Sequence, residues 1–478
     1  METFISNRGY SIIKQNLNSS ELLDIKKTLT VKPFVNTSYG QAASAFPVYC
    51  ESPKKIYLPR YYGQTKYGLA QSNKMYSGEE INISFNKSLK EKQRPIVDTY
   101  LKAAHTDGGG IISVPCGYGK TVIALYLCAQ LKVKTLVVVH KEFLLNQWKD
   151  RIKEFLPNAK IGRLQSNTIY VEGYDIVIGM LQSISMIEYD PVVFSKFGFV
   201  IYDECHHLGA ETFSKALLKT GYKYTLGLSA TPKRADGLSK VFEWYLGPIV
   251  YSIKKREEEN VLVKVINYEN EDENYSKILL NFKKKPNSAK MINNICGFLP
   301  RTYKIIDEIN RCLTEGRKIL LLSDRREHLK IIHSILSQSD TYTYGYYLGG
   351  MKEKELKETE KKDVILGTFS MASEGFDCKY PLDTIILGSP KSNIEQAVGR
   401  ILRQDAKDRK FVPLVIDMVD NFSMFAKQKL KRIAFYKKNN YTIETYDNDE
   451  NKLDIDYYET KKKTNKKKFE TEELNFLD

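Results

Sequence analysis

Two tandem α/β domains, each a parallel sheet covered by helices, are the fold this sequence predicts, with a small accessory module ahead of them. Three observations lead there. The chain has 478 residues, more than one hydrophobic core usually holds, so two domains with smaller appendages are expected. From about Leu89 onward, short apolar runs alternate with amphipathic segments, the pattern of strands buried between helices. A second series of the same kind begins near 301, after a charged and weakly patterned stretch.

Residues 1–88 are rich in Tyr, Ser, Asn and Lys and show little helical periodicity, which marks the accessory module. Its most distinctive stretch is Tyr57-Leu58-Pro59-Arg60-Tyr61-Tyr62-Gly63. The first domain is expected over 89–250, with strands at 111–114, 135–139, 175–179, 199–202 and 224–228 and an end at Leu246-Gly247-Pro248. Residues 251–300, which include the charged segments 254–260 and Lys283-Lys284-Lys285-Pro286, read as a connector. The second domain is expected over 301–450, with strands near 318–322, 364–367, 384–387 and 414–417. Residues 451–478 carry the run Lys461-Lys462-Lys463-Thr464-Asn465-Lys466-Lys467-Lys468 and read as a charged, flexible tail.

Hydrophobic content of 42% and charged content of 27% exclude a largely disordered chain. The formal net charge of +15 suits a polyanionic partner such as nucleic acid, an acidic membrane surface, or a merely well-solvated exterior. Seven cysteines are scattered without a CxxC pair, so neither a disulfide frame nor structural zinc is indicated, and a reducing compartment fits. The opening residues lack the blocks of a signal peptide, and no apolar run approaches the ~18 residues that span a bilayer. An intracellular, soluble protein with no membrane partner is therefore expected.

Val114-Pro115-Cys116-Gly117-Tyr118-Gly119-Lys120-Thr121 follows an apolar strand and opens a helix. In that context the loop formed by Pro115, Cys116, Gly117, Tyr118 and Gly119 lets backbone N–H groups wrap the β- and γ-phosphates of a nucleotide. Lys120 neutralises their charge, and Thr121 offers its hydroxyl to Mg²⁺. Val114 stands where the general GxxxxGK[ST] pattern has its first glycine. A simple glycine turn, however, does not require Lys-Thr directly after Gly.

Phe199-Val200-Ile201-Tyr202 runs into Asp203-Glu204-Cys205-His206-His207, which sets two carboxylates at the carboxyl end of a buried strand, where ligand sites of α/β sheets form. Asp203 can hold Mg²⁺ while Glu204 orients and polarises a water for attack on phosphorus. A zinc site on Cys205, His206 and His207 is disfavoured, because ligands adjacent in sequence do not easily converge on one tetrahedral ion. ATP and Mg²⁺ are the expected cofactors.

With these two motifs on the page, the residues from Gln93 to Arg403 resemble, in order, the superfamily 2 helicases, whose domains are RecA-like. The resemblance implies that Gln93 reads adenine. It makes Val138-Val139-His140-Lys141 with Asn146-Gln147-Trp148 a nucleic-acid contact through His140, Lys141, Gln147 and Trp148, although Trp148 also reads as a core aromatic. Gln182 and Ser183 are the later partners of that contact. Gly227-Leu228-Ser229-Ala230-Thr231-Pro232-Lys233-Arg234 resembles the segment whose Ser229 and Thr231, together with His206, couple the acidic strand end to the strand-binding face.

In the second half, Leu321-Leu322-Ser323-Asp324-Arg325 and Tyr347-Leu348-Gly349-Gly350 are similar to that half's early motifs, with Arg325 at the nucleic acid. Gly367-Thr368-Phe369 with Ala372-Ser373-Glu374-Gly375-Phe376-Asp377 resembles the segment in which Thr368 meets the backbone while Gly375 and Asp377 lie on the ribose side of ATP. Gln396-Ala397-Val398-Gly399-Arg400-Ile401-Leu402-Arg403 reads as a helix that presents Gln396, Arg400 and Arg403 on one face at i, i+4 and i+7. An arginine there can donate two parallel hydrogen bonds to the transferred phosphoryl group.

Within the superfamily, the phosphate loop, the acidic box and the Ser-Ala-Thr segment look closest to xeroderma pigmentosum group B-like helicases and restriction translocases. The Tyr57–Gly63 stretch and the Arg432…Tyr436-Lys437 ending resemble the poxvirus-type transcript-release helicases of large DNA viruses. That resemblance implies a 3′-to-5′ DNA-dependent ATPase of viral transcription, with a viral RNA polymerase or transcription factors as partners. Its expected places are the virion and the host cytoplasm, with the nucleus as an alternative. A double-strand translocase that does not separate strands and an RNA helicase are the competing functions. A passive nucleic-acid adaptor is disfavoured by the intact Lys120, Asp203, Glu204 and Arg403. A kinase or transporter ATPase would not need the second domain's Gly-Arg helix.

Overall fold

The computed structural model describes residues 2–34, 44–115, 117–209, 211–230, 234, 236–253, 260–374, 376, 378, 380–404 and 406–453. The chain divides into two compact units, Met1–Lys254 and Lys255–Asp478.

In the first unit, alternating faces of each apolar run are buried, so the runs form a sheet covered on both sides. Its eight strands stand in the order Thr168–Tyr170, Ile161–Gln165, Ile176–Met180, Thr135–Val139, Phe199–Tyr202, Tyr224–Ser229, Gly109–Ser113 and Ile249–Ser252. Every pairing is parallel except the hairpin made by the first two. Val137, Val139, Phe199 and Ile201 pack on one face with Ile96, Tyr100, Ile123, Leu127 and Trp148 from the flanking helices. Leu136, Val138, Val200 and Tyr202 occupy the other face. Burial on both faces explains why these strands read as unbroken apolar runs.

The second face is shared with the N-terminal residues. These form a five-stranded sheet in the order Cys50–Glu51, Lys55–Leu58, Gly9–Ile13, Thr3–Ser6 and Ser72–Asn73. Helix Ser19–Thr28 opens on a reciprocal cap in which the Asn18 side chain accepts from Glu21 N–H and Glu21 accepts from Asn18 N–H. Ile5, Tyr10, Ile12, Ile56 and Leu58 join one core with Val200, Phe242 and Tyr245, so the boundary expected at 88 lies inside a single unit. The Tyr57–Gly63 stretch is its clamp. Pro59 starts helix Arg60–Tyr67, Arg60 donates to the carbonyls of Asp107 (2.7 Å) and Lys223 (3.0 Å), and Tyr61 Oη lies 3.1 Å from Thr225 Oγ1.

The second unit carries an eight-stranded sheet in the order Tyr344–Tyr347, Val364–Gly367, Ile319–Leu322, Thr384–Leu387, Leu414–Asp420, Leu262–Tyr268, Thr442–Tyr446 and Lys452–Leu453. It is parallel up to its last pairing. The segment expected as a connector over 251–300 thus supplies an interior strand, Leu262–Tyr268, of the second unit. Lys264 obscures this strand in the sequence. Its side chain is buried, with Nζ 2.7 Å from Glu308 Oε1 and 5.0 Å from the Tyr446 ring centroid. Two more buried carboxylates hold the sheet's covering helices. Asp420 takes two bonds from Arg301 (2.7 and 2.9 Å) and one from Tyr275 (2.7 Å), and Asp417 accepts from Arg432 (2.8 Å) and Tyr436 (3.0 Å). The Arg432…Tyr436 ending therefore serves the core. No described helix is long and apolar enough to cross a membrane.

Candidate functional site

Strand order alone brings the two nucleotide motifs together. The strands ending at Val139, Tyr202, Ser229 and Ser113 are consecutive neighbours in the first sheet, and their carboxyl ends carry His140, Asp203-Glu204, Ser229 and the phosphate loop. At Gly119 the backbone has φ +77°, which strains any other residue, and an added Cβ would stand 2.4 Å from Gln93 Nε2 and have to displace that amide. Gly119 caps helix Lys120–Leu131, which leaves that helix's first N–H groups and its positive end open to an anion.

Gln93 is buried beneath this loop. Its Nε2 donates to Tyr118 O (2.9 Å) and its Oε1 accepts from Lys90 N–H (3.0 Å). Lys92 Nζ lies 5.0 Å from the Tyr118 ring centroid. Gln93 thus braces the loop.

Lys120 Nζ sits 3.6 Å from Glu204 Oε1, both side chains being largely buried. Glu204 is held at φ +49°, which costs a residue with a Cβ roughly 1 kcal/mol and aims the carboxylate back over the strand end. His206 Nδ1 is 3.4 Å from Glu204 Oε2 and 3.1 Å from Ser229 Oγ. A continuous polar line therefore runs from Lys120 through Glu204 and His206 to Ser229. His207 lies between His206 and His140, with ring centroids 4.4 and 4.1 Å away. Sequence reasoning gave no role to Arg234, which donates to the His206 carbonyl and pairs with Asp236 (Nε to Oδ1, 2.8 Å). Only its place three residues after Thr231 hinted at this.

Asp203 is the most heavily constrained of the acids. The indole Nε1 of Trp148 donates to Asp203 Oδ2 at 2.8 Å, and Glu204 N–H donates to Oδ1 at 3.1 Å. Burial, and after it the charge of Glu204, pushes the Asp203 carboxyl above its ordinary pKa, while the Trp148 bond, Lys120 and His140 act in the opposite direction. Asp203 and Thr121 are hard oxygen donors of the kind Mg²⁺ takes.

Trp148 is thus a core residue, 1% exposed, and the nucleic-acid contact expected of its side chain is not where the fold puts it. It lies on the apolar face of helix Glu142–Phe155 with Leu144, Leu145, Ile152 and Phe155, which turns it inward. His140 and Ser183 are buried as well. Gln182 Nε2 donates to the His140 carbonyl (2.6 Å), and Ser183 Oγ accepts from Ser166 N–H (3.0 Å), so these residues shape the sheet edge from within. Lys141 and Gln147 are half-buried at the start of the same helix. Replacing Trp148 by Phe keeps the packing and removes one bond to the Asp203 carboxylate. The expected outcome is an Mg²⁺ requirement raised about tenfold, read from ATPase rate against Mg²⁺ concentration.

In the second unit the carboxyl ends at Tyr347, Gly367, Leu322 and Leu387 are again neighbours. Arg325 donates to Asn293 Oδ1, to Ala289 O (3.2 Å) and to Asp324 O (3.1 Å), and Thr368 Oγ1 lies 3.2 Å from Ser370 Oγ on the same edge. The arginine segment departs from the continuous helix expected of it. The α-helix Glu395–Val398 passes into a 3₁₀ turn, Gly399–Leu402, so Arg400 points inward instead of sharing an exposed face with Gln396. Arg400 is buried, donating to Ala372 O (2.6 Å) and Phe376 O (2.8 Å), and Arg403 also donates to Phe376 O. Gln396 is half-buried. Cys116, Thr231, Gly375 and Asp377 lie outside the described residues.

The family profile "Type III restriction enzyme, res subunit" matches residues 86–234, the stretch that holds the phosphate loop, the acidic strand end and the coupling segment. Beyond it, "Putative ATP-dependent RNA helicase L396" of Acanthamoeba polyphaga mimivirus is 36% identical over 457 residues, covering 93% of this chain and 87% of its own length. The chain belongs to the superfamily 2 helicases. This helicase is ATP-dependent, and its relatives include proteins of large DNA viruses. "Putative ATP-dependent RNA helicase QP509L" of African swine fever virus (isolate Pig/Kenya/KEN-50/1950) is 27% identical over 352 residues, covering 68% of each chain. "Probable helicase D10" of Escherichia phage T5 is 28% identical over 362 residues, covering 74% of the helicase and 76% of the relative. The crystal structure of T4 UvsW matches at a TM-score of 0.36 and 19% identity, over 94% of the helicase and 100% of that chain, a likeness too loose to bear on the fold.

Proposed function

We propose that this helicase moves along DNA with 3′-to-5′ polarity, driven by ATP hydrolysis at Lys120, Thr121, Asp203 and Glu204 and completed by Arg400 and Arg403 of the second unit. The observation that carries the reading is the polar line from Lys120 through Glu204 and His206 to Ser229. Lys120 and the N-terminus of helix Lys120–Leu131 hold the β- and γ-phosphates. Thr121 and Asp203 hold Mg²⁺. Glu204 orients a water for in-line attack on phosphorus and accepts its proton. When bound, ATP with Mg²⁺ supplies the γ-phosphoryl group and the cation that neutralises its developing charge. A change of charge at Glu204 is felt at once by His206 and through it by Ser229, which gives the strand-facing edge a signal of nucleotide state.

The resemblance gives Arg403 and Arg400 of the second unit the role of donating to the transferred phosphoryl group, so hydrolysis requires both units. Lys141, Gln147, Arg325 and Thr368 hold a strand mainly by its phosphates, which gives little sequence preference and marked salt dependence. The resemblance of the Tyr57–Gly63 and Arg432…Tyr436 stretches to transcript-release helicases supports a role in viral transcription beside a viral RNA polymerase or its factors, in the virion and the host cytoplasm. An RNA track is the second reading, and the names of the mimivirus and swine fever virus relatives favour it. ATPase rates with single- and double-stranded DNA and RNA decide between them. DNA is expected to stimulate most. Stimulation by RNA alone would replace the first reading with the second.

A further inference from the structure

The lysine run at 283–285, unremarkable as sequence, ends a small closed hairpin whose apolar side is open to solvent. Asn281 N–H donates to Lys285 O (2.8 Å), Lys284 N–H to Asn281 O (3.0 Å) and Asn287 N–H to Leu279 O (2.7 Å). The Asn281 side chain accepts from Lys283 N–H (2.9 Å) and Lys285 N–H (3.1 Å), and Leu280 pairs with Pro286 across the hairpin. These bonds fix the tip. Phe282 at that tip is 91% exposed, flanked by Ile278 at 53% and Leu280 at 47%. A well-bonded turn whose aromatic ring is this exposed, with the Lys283 ammonium 5.8 Å from its centroid, leaves apolar area in water, which marks a contact surface. Lys283, Lys284 and Lys285 are exposed, and among the described residues no ion pair involves them.

The hairpin is rooted at the strand-facing edge. It follows strand Leu262–Tyr268 and the short helix Glu273–Ser276, and it leads into helix Ser288–Gly297. Ala289 and Asn293 of that helix accept two of the bonds that hold the Arg325 guanidinium. The geometry points to the hairpin 278–286 as a single-strand nucleic-acid contact, in which an unpaired base stacks on Phe282 while Lys283, Lys284 and Lys285 neutralise the adjoining phosphates. This rests on the nucleic-acid track proposed above and adds to it an element that none of the motif residues supplies. A duplex offers no free base face to such a ring, whereas a single strand does. Three adjacent cations beside one aromatic fit a backbone that carries a charge at every nucleotide.

The test uses the full chain with Phe282→Trp as reporter, since the two native tryptophans lie elsewhere and Trp148 is buried. An oligo(dT) or oligo(U) strand is expected to quench the added emission. Phe282→Ala is expected to weaken strand binding roughly tenfold, and replacing the three lysines by alanine to flatten the slope of log K against log salt by about 2. All these residues are exposed, so basal ATPase without nucleic acid should stay at the wild-type value. Unchanged affinity, slope and emission in variants whose ATPase is still stimulated by nucleic acid would overturn the hairpin contact and leave the track reading intact. Failure of the wild-type chain to bind or be stimulated by either strand would overturn both. Emission that responds to phosphatidylserine vesicles but not to strands would assign the hairpin to a membrane surface and overturn the inference as well.

Discussion

Glu204→Gln is expected to slow ATP turnover at least about a thousandfold while ATP still binds. Glutamine matches glutamate in shape, so the left-handed backbone at 204 and the packing around it persist. What disappears is the negative charge that accepts the water's proton and faces Lys120 at 3.6 Å and His206 at 3.4 Å. The phosphate loop and Lys120 are untouched, and strand binding is expected to be retained. Lys120→Ala should abolish hydrolysis as well, but with loss of nucleotide affinity. Turnover in single-cycle experiments, set beside nucleotide and strand binding for both variants, separates the two roles. Near-normal hydrolysis by Glu204→Gln would remove Glu204 from the chemistry.

Arg403→Ala is expected to lower turnover by about a thousandfold or more, the range in which an arginine on the transferred phosphoryl group acts. Arg403→Lys should not restore it, because an ammonium cannot give two parallel bonds to phosphate oxygens. Arg400→Ala is the less discriminating variant. Arg400 is buried and donates to the carbonyls of Ala372 and Phe376, the second of which also accepts from Arg403, and leaving the first unpaired costs about 1–3 kcal/mol. Its loss should therefore reduce the stability of the second unit as well as the rate. Denaturant unfolding followed alongside turnover distinguishes the effects. An Arg403→Ala chain that hydrolyses ATP at the wild-type rate would remove Arg403 from the reaction.

Where local pattern and tertiary environment agreed, the sequence was readable. The strands 135–139 and 199–202 are buried on both faces and contain no polar residue beyond a terminal Thr or Tyr, so their bounds came out as expected. The Gly-Lys-Thr turn and the Asp-Glu pair were legible because each sits at the end of such a strand. Leu262–Tyr268 was not, because a lysine interrupts it and its partner Glu308 lies 44 residues away. The N-terminal sheet was hidden for a related reason. Its strands are short, and their buried side chains share a core with the face of another sheet.

At the site, sequence gave residue types but not directions. Trp148 and His140 belong to segments that resemble strand contacts, yet the helix face and the loop geometry turn both inward, where Trp148 steadies Asp203. Arg400 and Arg403 follow helical spacing on paper. The change to a 3₁₀ turn at Gly399 redirects Arg400 towards its own backbone, an outcome set by the carbonyls at 372 and 376 and not by any neighbour in sequence.

A structure of the full chain with a γ-phosphate mimic, Mg²⁺ and a single strand bound tests the joint role of the two units most directly. The expected result is a guanidinium nitrogen of Arg403 or Arg400 within about 3 Å of the mimic, with Lys120 on its opposite side. Both arginines still bonded to the carbonyls of residues 372 and 376, above a fully formed nucleotide complex on the first unit, would contradict it.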